Sequence, residues 1–230
     1  MENRIIVVGA GVVGLACAVA LTRSGRQVTL IDEGEPGAGT SAGNPGGLSV
    51  SSVLPAAHPG VLRKVPGWLL DPDGPLVIKP RHLPRMAPWL ARFLAASRRD
   101  RWEAGISALH GLTANAVSDW RDLLGAVGAP ELLRPTGHLI VYRSDAQDDA
   151  ETASWERRAA LGMRIEPVGT ERLREMVPPL AGEYHRARLV HDNGWLHDPR
   201  EACRRMEHWL RGAGAGLRRA RVTGLEPGGP

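Results

Sequence analysis

Apolar runs and glycines alternate at the start of the chain in the order of a strand, a helix and a second strand. Arg4–Val8 is almost wholly apolar and β-branched, which predicts a fully buried parallel strand. Residues 12–24 predict a helix that ends at Gly25, and residues 27–31 predict the second strand. A complete βαβ unit of roughly thirty residues therefore opens the chain and indicates an α/β fold.

Further along, the periodicity predicts mainly helices separated by short strands. Residues 33–60 are rich in glycine, serine and proline and are expected to form a loop, whose length is typical of functional loops. Asp198, Pro199 and Glu201 predict a helix start, with a cap, a first-turn proline and a capping-box-like pair. Helices are predicted at 84–97, 102–127, 147–161, 171–176 and 199–211, and strands at 75–79, 138–143, 166–168, 188–191 and 217–222.

Composition and charge narrow the classes of function. The chain has 230 residues, of which 43% are hydrophobic and 23% charged, and this balance is typical of a soluble globular protein. Its basic residues are almost all arginine and lack aromatic interleaving, so no nucleic-acid partner is expected. Cys17 and Cys203 lie in separate predicted helices without metal-ligand spacing. No metal site and no disulfide are therefore expected, and a cytoplasmic location is the default.

Two apolar segments bear on membrane contact. Residues 5–21 are apolar enough to pass for a signal sequence or a short span, but the glycines within them favour a buried strand followed by a buried helix. Residues 86–101 combine Trp, Leu and Phe with several arginines. This pattern is typical of an interfacial helix, and also of a core helix with a basic solvated face. Peripheral contact with the inner face of the cell membrane stays one of two interpretations.

Three glycines, Gly9, Gly11 and Gly14, follow the first strand and open the first helix. In this pattern the first permits a tight turn, the second lets the backbone approach a pyrophosphate, and the third lets the helix pack closely on the strand. The N–H groups and dipole of the helix N-terminus favour a phosphate there. About twenty residues on, Asp32 ends the second strand, where a carboxylate accepts hydrogen bonds from an adenosine ribose; Glu33 is the alternative. This segment predicts a dinucleotide site.

The loop after the second strand distinguishes a FAD site from an NAD site. A plain NAD-binding fold would continue into another βα unit, whereas residues 37–49 read GAGTSAGNPGGLS. A loop of such small residues approaches a pyrophosphate and an isoalloxazine ring closely. FAD is therefore favoured over NAD.

Several motifs carry a family resemblance. The strongest are VVGAGVVGLACAVALTRSG at 7–25, VTLIDEG at 28–34 and TSAGNPGGLS at 40–49. With these, the chain resembles the FAD-dependent D-amino-acid dehydrogenases of the glycine oxidase and D-amino-acid oxidase superfamily. Looser similarity continues through HPG at 58–60, PLVIKP at 75–80, GHLIVYR at 137–143 and LVHDNGWLHDP at 189–199.

The resemblance implies a Rossmann-like FAD-binding domain that is interrupted by an α+β substrate domain. The FAD-binding domain would comprise residues 1–83 and 186–230, and the partial substrate domain residues 84–185. The strand at 217–222 would then be the third strand of the FAD sheet. Because that strand runs into a turn at the end of the sequence, we expect the chain to be the N-terminal part of a longer protein that lacks its C-terminal portion here.

The resemblance also implies roles for residues outside the glycine turn. Thr40, Ser41 and Asn44 would lie near the pyrophosphate and ribityl chain, Gly46–Gly47 near the flavin ring, and the Val222 backbone against adenine. Motif and resemblance together assign cofactor contacts to Val8, Gly9, Gly11, Val12, Val13, Gly14, Asp32, Glu33, Thr40, Ser41, Asn44, Gly46, Gly47 and Val222.

The reaction implied by the resemblance is oxidation of the C–N bond of D-amino acids to 2-oxo acids and ammonia, with electrons passing to a non-oxygen acceptor such as a respiratory quinone. One alternative is a glycine, sarcosine or D-hydroxyproline oxidoreductase subunit, and another is a truncated, non-catalytic fragment. His58, His191 and Trp195 are each weighed as site residues against ordinary structural roles. No catalytic residue is assigned, and the residue that holds the substrate carboxylate is expected beyond residue 230.

Overall fold

The computed structural model describes residues 4–70, 79–180 and 182–226. The chain forms two compact units. Unit 1 consists of Met1–Ser49, Ala116–Leu139 and His191–Pro230, and unit 2 of Val50–Asn115 and Ile140–Val190. The assignment of a FAD-binding domain and a substrate domain, with boundaries at 83 and 186, stays a prediction.

Helices and strands alternate along the chain. The helices are α1 (Val12–Arg23), α2 (Val61–Leu70), α3 (Leu83–Ala96), α4 (Arg99–Thr113), α5 (Ala116–Ala126), α6 (Asp145–Ala160), α7 (Thr170–Met176) and α8 (Pro199–Gly212). The strands are β1 (Arg4–Val8), β2 (Gln27–Asp32), β3 (Gly47–Leu48), β4 (Leu133–Arg134), β5 (His138–Tyr142), β6 (Ile165–Val168), β7 (Arg186–Val190), β8 (Gly194–Leu196) and β9 (Gly216–Arg219). In the described part of the chain, no helix is long and apolar enough to cross a membrane.

The main sheet of unit 1 is parallel and has the strand order β1-β2-β9. The predicted strand–helix–strand start is confirmed, and the strand predicted near residue 217 does return beside β2. It ends at Arg219, however, and not at Val222 as predicted. The reason is that β2 itself ends at Asp32, whose carbonyl accepts the last bond from the Ala220 N–H at 2.8 Å. Val222 therefore follows the sheet edge without belonging to a strand.

The core of unit 1 packs α1 and α8 against this sheet. Asp198 caps α8 as predicted, since its carboxylate accepts the Glu201 N–H at 2.9 Å. The prediction that β1 is fully buried is wrong, because Ile6 and Val8 are 65% and 56% exposed. Alternate residues of β1 point away from the helices, so only one face of the strand is covered in the described structure. The fully buried core side chains include Leu15, Val19, Cys203, Met206 and Leu210.

Unit 1 also contains a small antiparallel sheet with the order β3-β8-β4. These strands are two or three residues long. The sequence did not predict them, because so short a run has no readable periodicity. The sheet joins the end of the glycine-rich loop to Trp195 through the pair Gly47–Trp195.

Unit 2 is built on a sheet with the order β5-β7-β6. Tyr142, Trp155 and Val190 form its buried centre. The Trp155 indole N–H donates to the Tyr142 hydroxyl at 2.9 Å, which in turn donates to Glu151 at 3.0 Å. Burial, followed by the hydrogen bond to Glu151, raises the pKa of Tyr142 to about 12.

The single helix predicted at 102–127 is wrong, because α4 ends at Thr113 and α5 begins at Ala116. The Thr113 hydroxyl donates to the Leu109 carbonyl at 2.9 Å, a local bond that competes with helix continuation. The apolar spacing runs through this break and so concealed it. Helix α2 was not predicted, and most of the predicted strand at 75–79 lies outside the described residues.

Candidate dinucleotide site

At Gly9 and Gly14 the turn between β1 and α1 has a geometry that only glycine satisfies. Gly9 has φ +102° and its N–H donates to the Ile31 carbonyl at 2.8 Å, which joins the turn to β2. A Cβ on Gly14 would lie 1.8 Å from the Gly9 carbonyl oxygen. No side chain fits at that distance, so α1 packs on the turn only because residue 14 is glycine.

The N-terminus of α1 opens at this turn. Gly11 is the N-cap and offers no side-chain acceptor. The Val12 N–H donates instead to the Ser41 hydroxyl oxygen at 2.9 Å, so the loop supplies the missing cap. The Val13 side chain is 73% exposed. A helix N-terminus with exposed surroundings and a glycine cap is a ready anion site.

Asp32 ties the turn to the end of β2. Its carboxylate accepts the backbone N–H of Ala10 on one oxygen and that of Gly34 on the other, each at 2.7 Å. The hydrogen bond from Ala10, followed by that from Gly34, holds the pKa of Asp32 below its ordinary value. A carboxylate has about four acceptor sites, so Asp32 also has the capacity to accept a hydrogen bond from a ribose hydroxyl. Glu33, next along the chain, is exposed.

A cleft of about 250 Å³ lies at the carboxyl ends of these strands. Ligands of open parallel sheets bind at this position. Of the predicted contacts, the cleft brings together Val8, Gly9, Asp32, Glu33 and Val222, and it adds Ile31, Ala220 and Arg221. Arg221 was missed by sequence reasoning, although its position just past β9 places it at the same edge of the sheet.

The glycine-rich loop is anchored by contacts of its own. Gly37 donates its N–H to the Ala10 carbonyl at 2.8 Å, and a Cβ there would lie 2.5 Å from the Cβ of Cys203. The Asn44 side-chain oxygen accepts the Gly46 N–H at 2.7 Å, so the structure gives Asn44 a turn-forming role. Thr40 is exposed at the tip of the loop. The pairing of Gly37 with Cys203 was also missed, because it joins positions far apart in sequence.

A polar cluster lies beside Gly47 at the far end of the loop. A Cβ on Gly47 would be 3.7 Å from His138 Cε1. The Asn193 amide lies 3.2 Å from His138 Nδ1, while His138 Nε2 lies 2.9 Å from the Gly194 carbonyl oxygen. Since a carbonyl only accepts, Nε2 carries the proton and the Asn193 amide donates to Nδ1. Trp195, 42% exposed, meets the imidazole edge-on at 6.4 Å.

The remaining histidines weighed from the sequence lie in different places. His191 directly follows β7 and belongs to unit 1. His58 belongs to unit 2, where its Nδ1 lies 2.9 Å from the Pro59 carbonyl oxygen. His138, which the sequence did not single out, is the histidine that faces the glycine-rich loop.

Comparison with known protein families also indicates a dinucleotide-binding protein. The family model described as FAD dependent oxidoreductase matches residues 4–230. The chain belongs to this family.

Individual relatives give a finer picture. The chain is 36% identical over 230 residues to a D-amino-acid oxidase of Bradyrhizobium diazoefficiens, a match that covers 99% of this chain and 54% of that protein. It is 39% identical over 183 residues to D-amino acid dehydrogenase 2 of Ralstonia nicotianae, covering 78% and 43% of the two chains. The chain thus spans about half the length of the curated relatives it matches.

Solved structures support the fold. Glycine oxidase from Geobacillus kaustophilus superposes with a TM-score of 0.57 at 18% identity, covering 94% of this chain and 46% of the other. At such low identity the likeness concerns the fold alone.

Proposed function

We propose that unit 1 binds FAD and that the whole protein is an oxidoreductase of D-amino acids. The observation that carries the first part is the glycine turn with its exposed helix N-terminus, in a chain of a FAD-dependent family. The names of the relatives at 36% and 39% identity support the second part. In this proposal the FAD-binding domain, residues 1–83 and 186–230, shares residues 1–49 and 191–230 with unit 1, and residues 84–185 form the partial substrate domain.

We assign the residues of unit 1 to successive parts of FAD. Gly9 and Gly11 leave room for the pyrophosphate, which the backbone N–H groups of Val12 and Val13 bind, and Gly14 lets α1 pack closely on the turn. Because the Ser41 hydroxyl already accepts the Val12 N–H, a phosphate oxygen would share or replace that contact. Thr40, Ser41 and Asn44 lie along the loop proposed to follow the pyrophosphate and ribityl chain.

The two ends of the cofactor are assigned to opposite ends of the site. Asp32 accepts the ribose hydroxyls, with Glu33 as the second carboxylate at the same edge. Val8 and the Val222 backbone border the same cleft and contact the adenosine half. Gly46 and Gly47 approach the flavin ring at the other end of the loop, next to His138.

The proposed reaction is oxidation of a carbon–nitrogen bond. When bound, FAD supplies the acceptor for the hydride that leaves the substrate Cα. The amine becomes an imine, and water hydrolyses the resulting imino acid to a 2-oxo acid and ammonia. The part of this chain is to hold and orient the cofactor; His138 and Trp195 line the loop near Gly47, where they shape the surroundings of the ring.

Substrate oxidation by the purified full-length enzyme tests this proposal. With an artificial dye as acceptor, neutral D-amino acids are expected to reduce the dye and yield equal amounts of 2-oxo acid and ammonia. Glycine, sarcosine and D-hydroxyproline serve as the comparison substrates. Dye reduction by these compounds alone would replace the D-amino-acid assignment with the alternative amine oxidoreductase. A chain that stays colourless with added FAD and oxidises none of them would favour the non-catalytic fragment.

The proposed electron acceptor is a respiratory quinone reached at the inner face of the cell membrane. Helix α3 supports this, because none of its residues is buried. Trp89 and Phe93 stack at 5.2 Å on its apolar side, and Trp89 is 56% exposed. Arg85 and Arg92 flank this apolar side at helical spacing. An exposed apolar stripe with a basic border is typical of helices that lie in a membrane interface.

Flotation with anionic liposomes tests the membrane contact. We expect the chain to float with the vesicles at low salt and to be released as salt is raised, since screening weakens the attraction of arginine to anionic lipid. Trp89→Glu combined with Phe93→Glu should abolish flotation without changing the far-UV circular dichroism. Equal flotation of this variant, or no flotation of the unaltered chain, would contradict the contact.

A further inference from the structure

Unit 2 contains a cleft that the proposed FAD site leaves without a role. The cleft has a volume of about 490 Å³ and lies between the loop at 54–59, the start of α4 and the middle of α6. Its charged and aromatic walls are formed by His58, Arg99, Trp102, Glu151, Arg157 and Arg158.

Arg158 is the most firmly held of the three arginines. Its Nε donates to the Ser51 carbonyl at 2.9 Å and its NH1 to the Ser154 carbonyl at 3.2 Å. The guanidinium lies over the Trp155 ring, 4.7 Å from the centroid. Among the described residues, no carboxylate forms an ion pair with it. Its positive charge is therefore pre-oriented and partly desolvated, and Glu151 is the carboxylate whose charge acts on it.

Arg157 lies beside it and is incompletely coordinated. One terminal nitrogen pairs with the Glu103 carboxylate. Its Nε is shielded from solvent, and within the described part of the chain it has no hydrogen-bond acceptor. A buried donor without an acceptor is unusual and raises the free energy of the folded protein.

The cleft also has an apolar wall. The Trp102 indole is fixed by a hydrogen bond from its Nε1 to the Pro55 carbonyl at 3.2 Å. Leu54 and Pro59 continue this wall. A ring or short hydrocarbon chain placed here would be packed on one side and leave a charged end for the arginines.

The acidic groups limit the charge of the ligand. Glu151 faces the cleft while accepting a hydrogen bond from the Tyr142 hydroxyl, and Glu103 is engaged by Arg157. The three guanidinium groups and the two carboxylates together leave a net charge of about +1. A single negative charge would balance the cleft, whereas a dianion would be repelled by Glu151.

We propose that this cleft is a second small-molecule site, which binds a monocarboxylate with an apolar or aromatic body. The carboxylate is held by Arg158 with help from Arg99 and Arg157, because a guanidinium matches the two carboxylate oxygens. The body of the ligand packs on Trp102. This site rests on unit 2 alone and does not depend on FAD binding by unit 1.

Calorimetric titration with phenylacetate, with and without FAD present, tests the proposal. We expect saturable binding of one phenylacetate per chain in both conditions, and none of the uncharged analogue phenylacetamide. Arg158→Lys keeps the charge but loses the planar fork, and should weaken binding about tenfold. Arg99→Gln should weaken it about threefold by removing one exposed charge.

The neighbouring Arg98→Gln is the matched control, because Arg98 is exposed, carries the same charge and does not line the cleft. It should bind phenylacetate as the unaltered chain does. If Arg158→Lys fails to fold, the proposal is still tested by comparing the phenylacetate affinities of Arg99→Gln and Arg98→Gln. Equal binding of the acid and the amide would overturn the proposal. So would binding only when FAD is present, binding of inorganic phosphate but not phenylacetate, or no saturation at about 10 mM.

Discussion

The Asp32 carboxylate accepts the backbone N–H of Ala10 at 2.7 Å and thereby joins the end of β2 to the glycine turn. Its other oxygen accepts the Gly34 N–H at the same distance. A residue chosen from the sequence as a ribose ligand is thus also the clamp that shapes the turn. The two roles are compatible, because the backbone hydrogen bonds from Ala10, Gly34 and Glu33 leave part of the roughly four-site acceptor capacity of a carboxylate for a ribose hydroxyl.

The effect of Asp32→Asn on stability, measured without a cofactor, tests the clamp by itself. The amide keeps one acceptor but replaces the other with a donor that faces a backbone N–H. We expect the free energy of unfolding to fall by about 1–2 kcal/mol, measured by urea denaturation. Glu35→Gln is the control, since the side chain of Glu35 is 71% exposed and its ion pair with Arg219 lies on the surface. Equal stability of the two variants would contradict the clamp.

The pH dependence of stability follows from the lowered pKa of Asp32. A carboxyl group whose pKa is lower in the folded state contributes stability above its unfolded pKa, near 3.8, and loses it as the pH falls through the folded value. The unaltered chain should therefore lose stability on acidification more steeply than Asp32→Asn. Parallel curves for the two proteins between pH about 5 and 2 would show that Asp32 has no special stabilising contact.

Gly14 is the least replaceable residue of the turn. A methyl group at this position would meet the Gly9 carbonyl oxygen at 1.8 Å, so Gly14→Ala must displace α1 from the turn. We expect a loss of more than about 3 kcal/mol in stability, or failure to fold. Gly39→Ala has no atom within 4 Å of the new methyl group and should behave as the unaltered chain does. Thermal unfolding of the two variants measures the contrast.

The two cysteines should differ sharply in reactivity. Cys17 is exposed, whereas Cys203 is fully buried under the loop beside Gly37, and burial raises the pKa of its thiol. One thiol per chain is expected to react with an alkylating reagent under native conditions, and two after unfolding. Cys17→Ser should abolish the native reaction. Rapid labelling of Cys203 in this variant would mean that the loop does not hold its place on α8.

Tyr142 offers a direct probe of the core of unit 2. The chain has two tyrosines, so in Tyr184→Phe the phenolate absorbance reports Tyr142 alone. Its midpoint is expected near pH 12, above the ordinary value of 10.0. Because the pKa is raised in the folded state, the stability that Tyr142 provides is complete below pH 10 and is lost as the pH rises toward 12. A midpoint near 10 in the folded protein would contradict the buried contact with Trp155 and Glu151.

Sequence reasoning succeeded where the signal is local. Neighbouring residues determine the order of strand, glycine turn, helix and strand, and they also determine the Asp198 cap. It failed where the deciding contact is distant or the element is very short. The break between Thr113 and Ala116 keeps the apolar spacing of one helix, and β3, β4 and β8 are too short to show a period.

In the candidate site, too, the sequence predicts the residues that a local motif fixes but not those that distant contacts bring together. Gly9, Gly14 and Asp32 are recognisable because a motif fixes their spacing. The clamp from Asp32 to Ala10 joins residues 22 positions apart, and the cluster of His138 with Asn193 joins residues 55 positions apart. No pattern within one element predicts such pairs, since they arise only when the loop and the small sheet come together.

Flavin retention by the purified chain tests the central claim, that unit 1 binds FAD at the N-terminus of α1. After incubation with FAD and gel filtration, the chain should elute with about one flavin bound, displaced by excess ADP. Gly11→Asp is the sharpest comparison. Aspartate is a favourable N-cap and suits the helix dipole, so the fold should be kept, but its charge occupies the place of the phosphate. The account predicts a folded, colourless Gly11→Asp variant beside a yellow unaltered chain; equal flavin in both, or none in either, would contradict it.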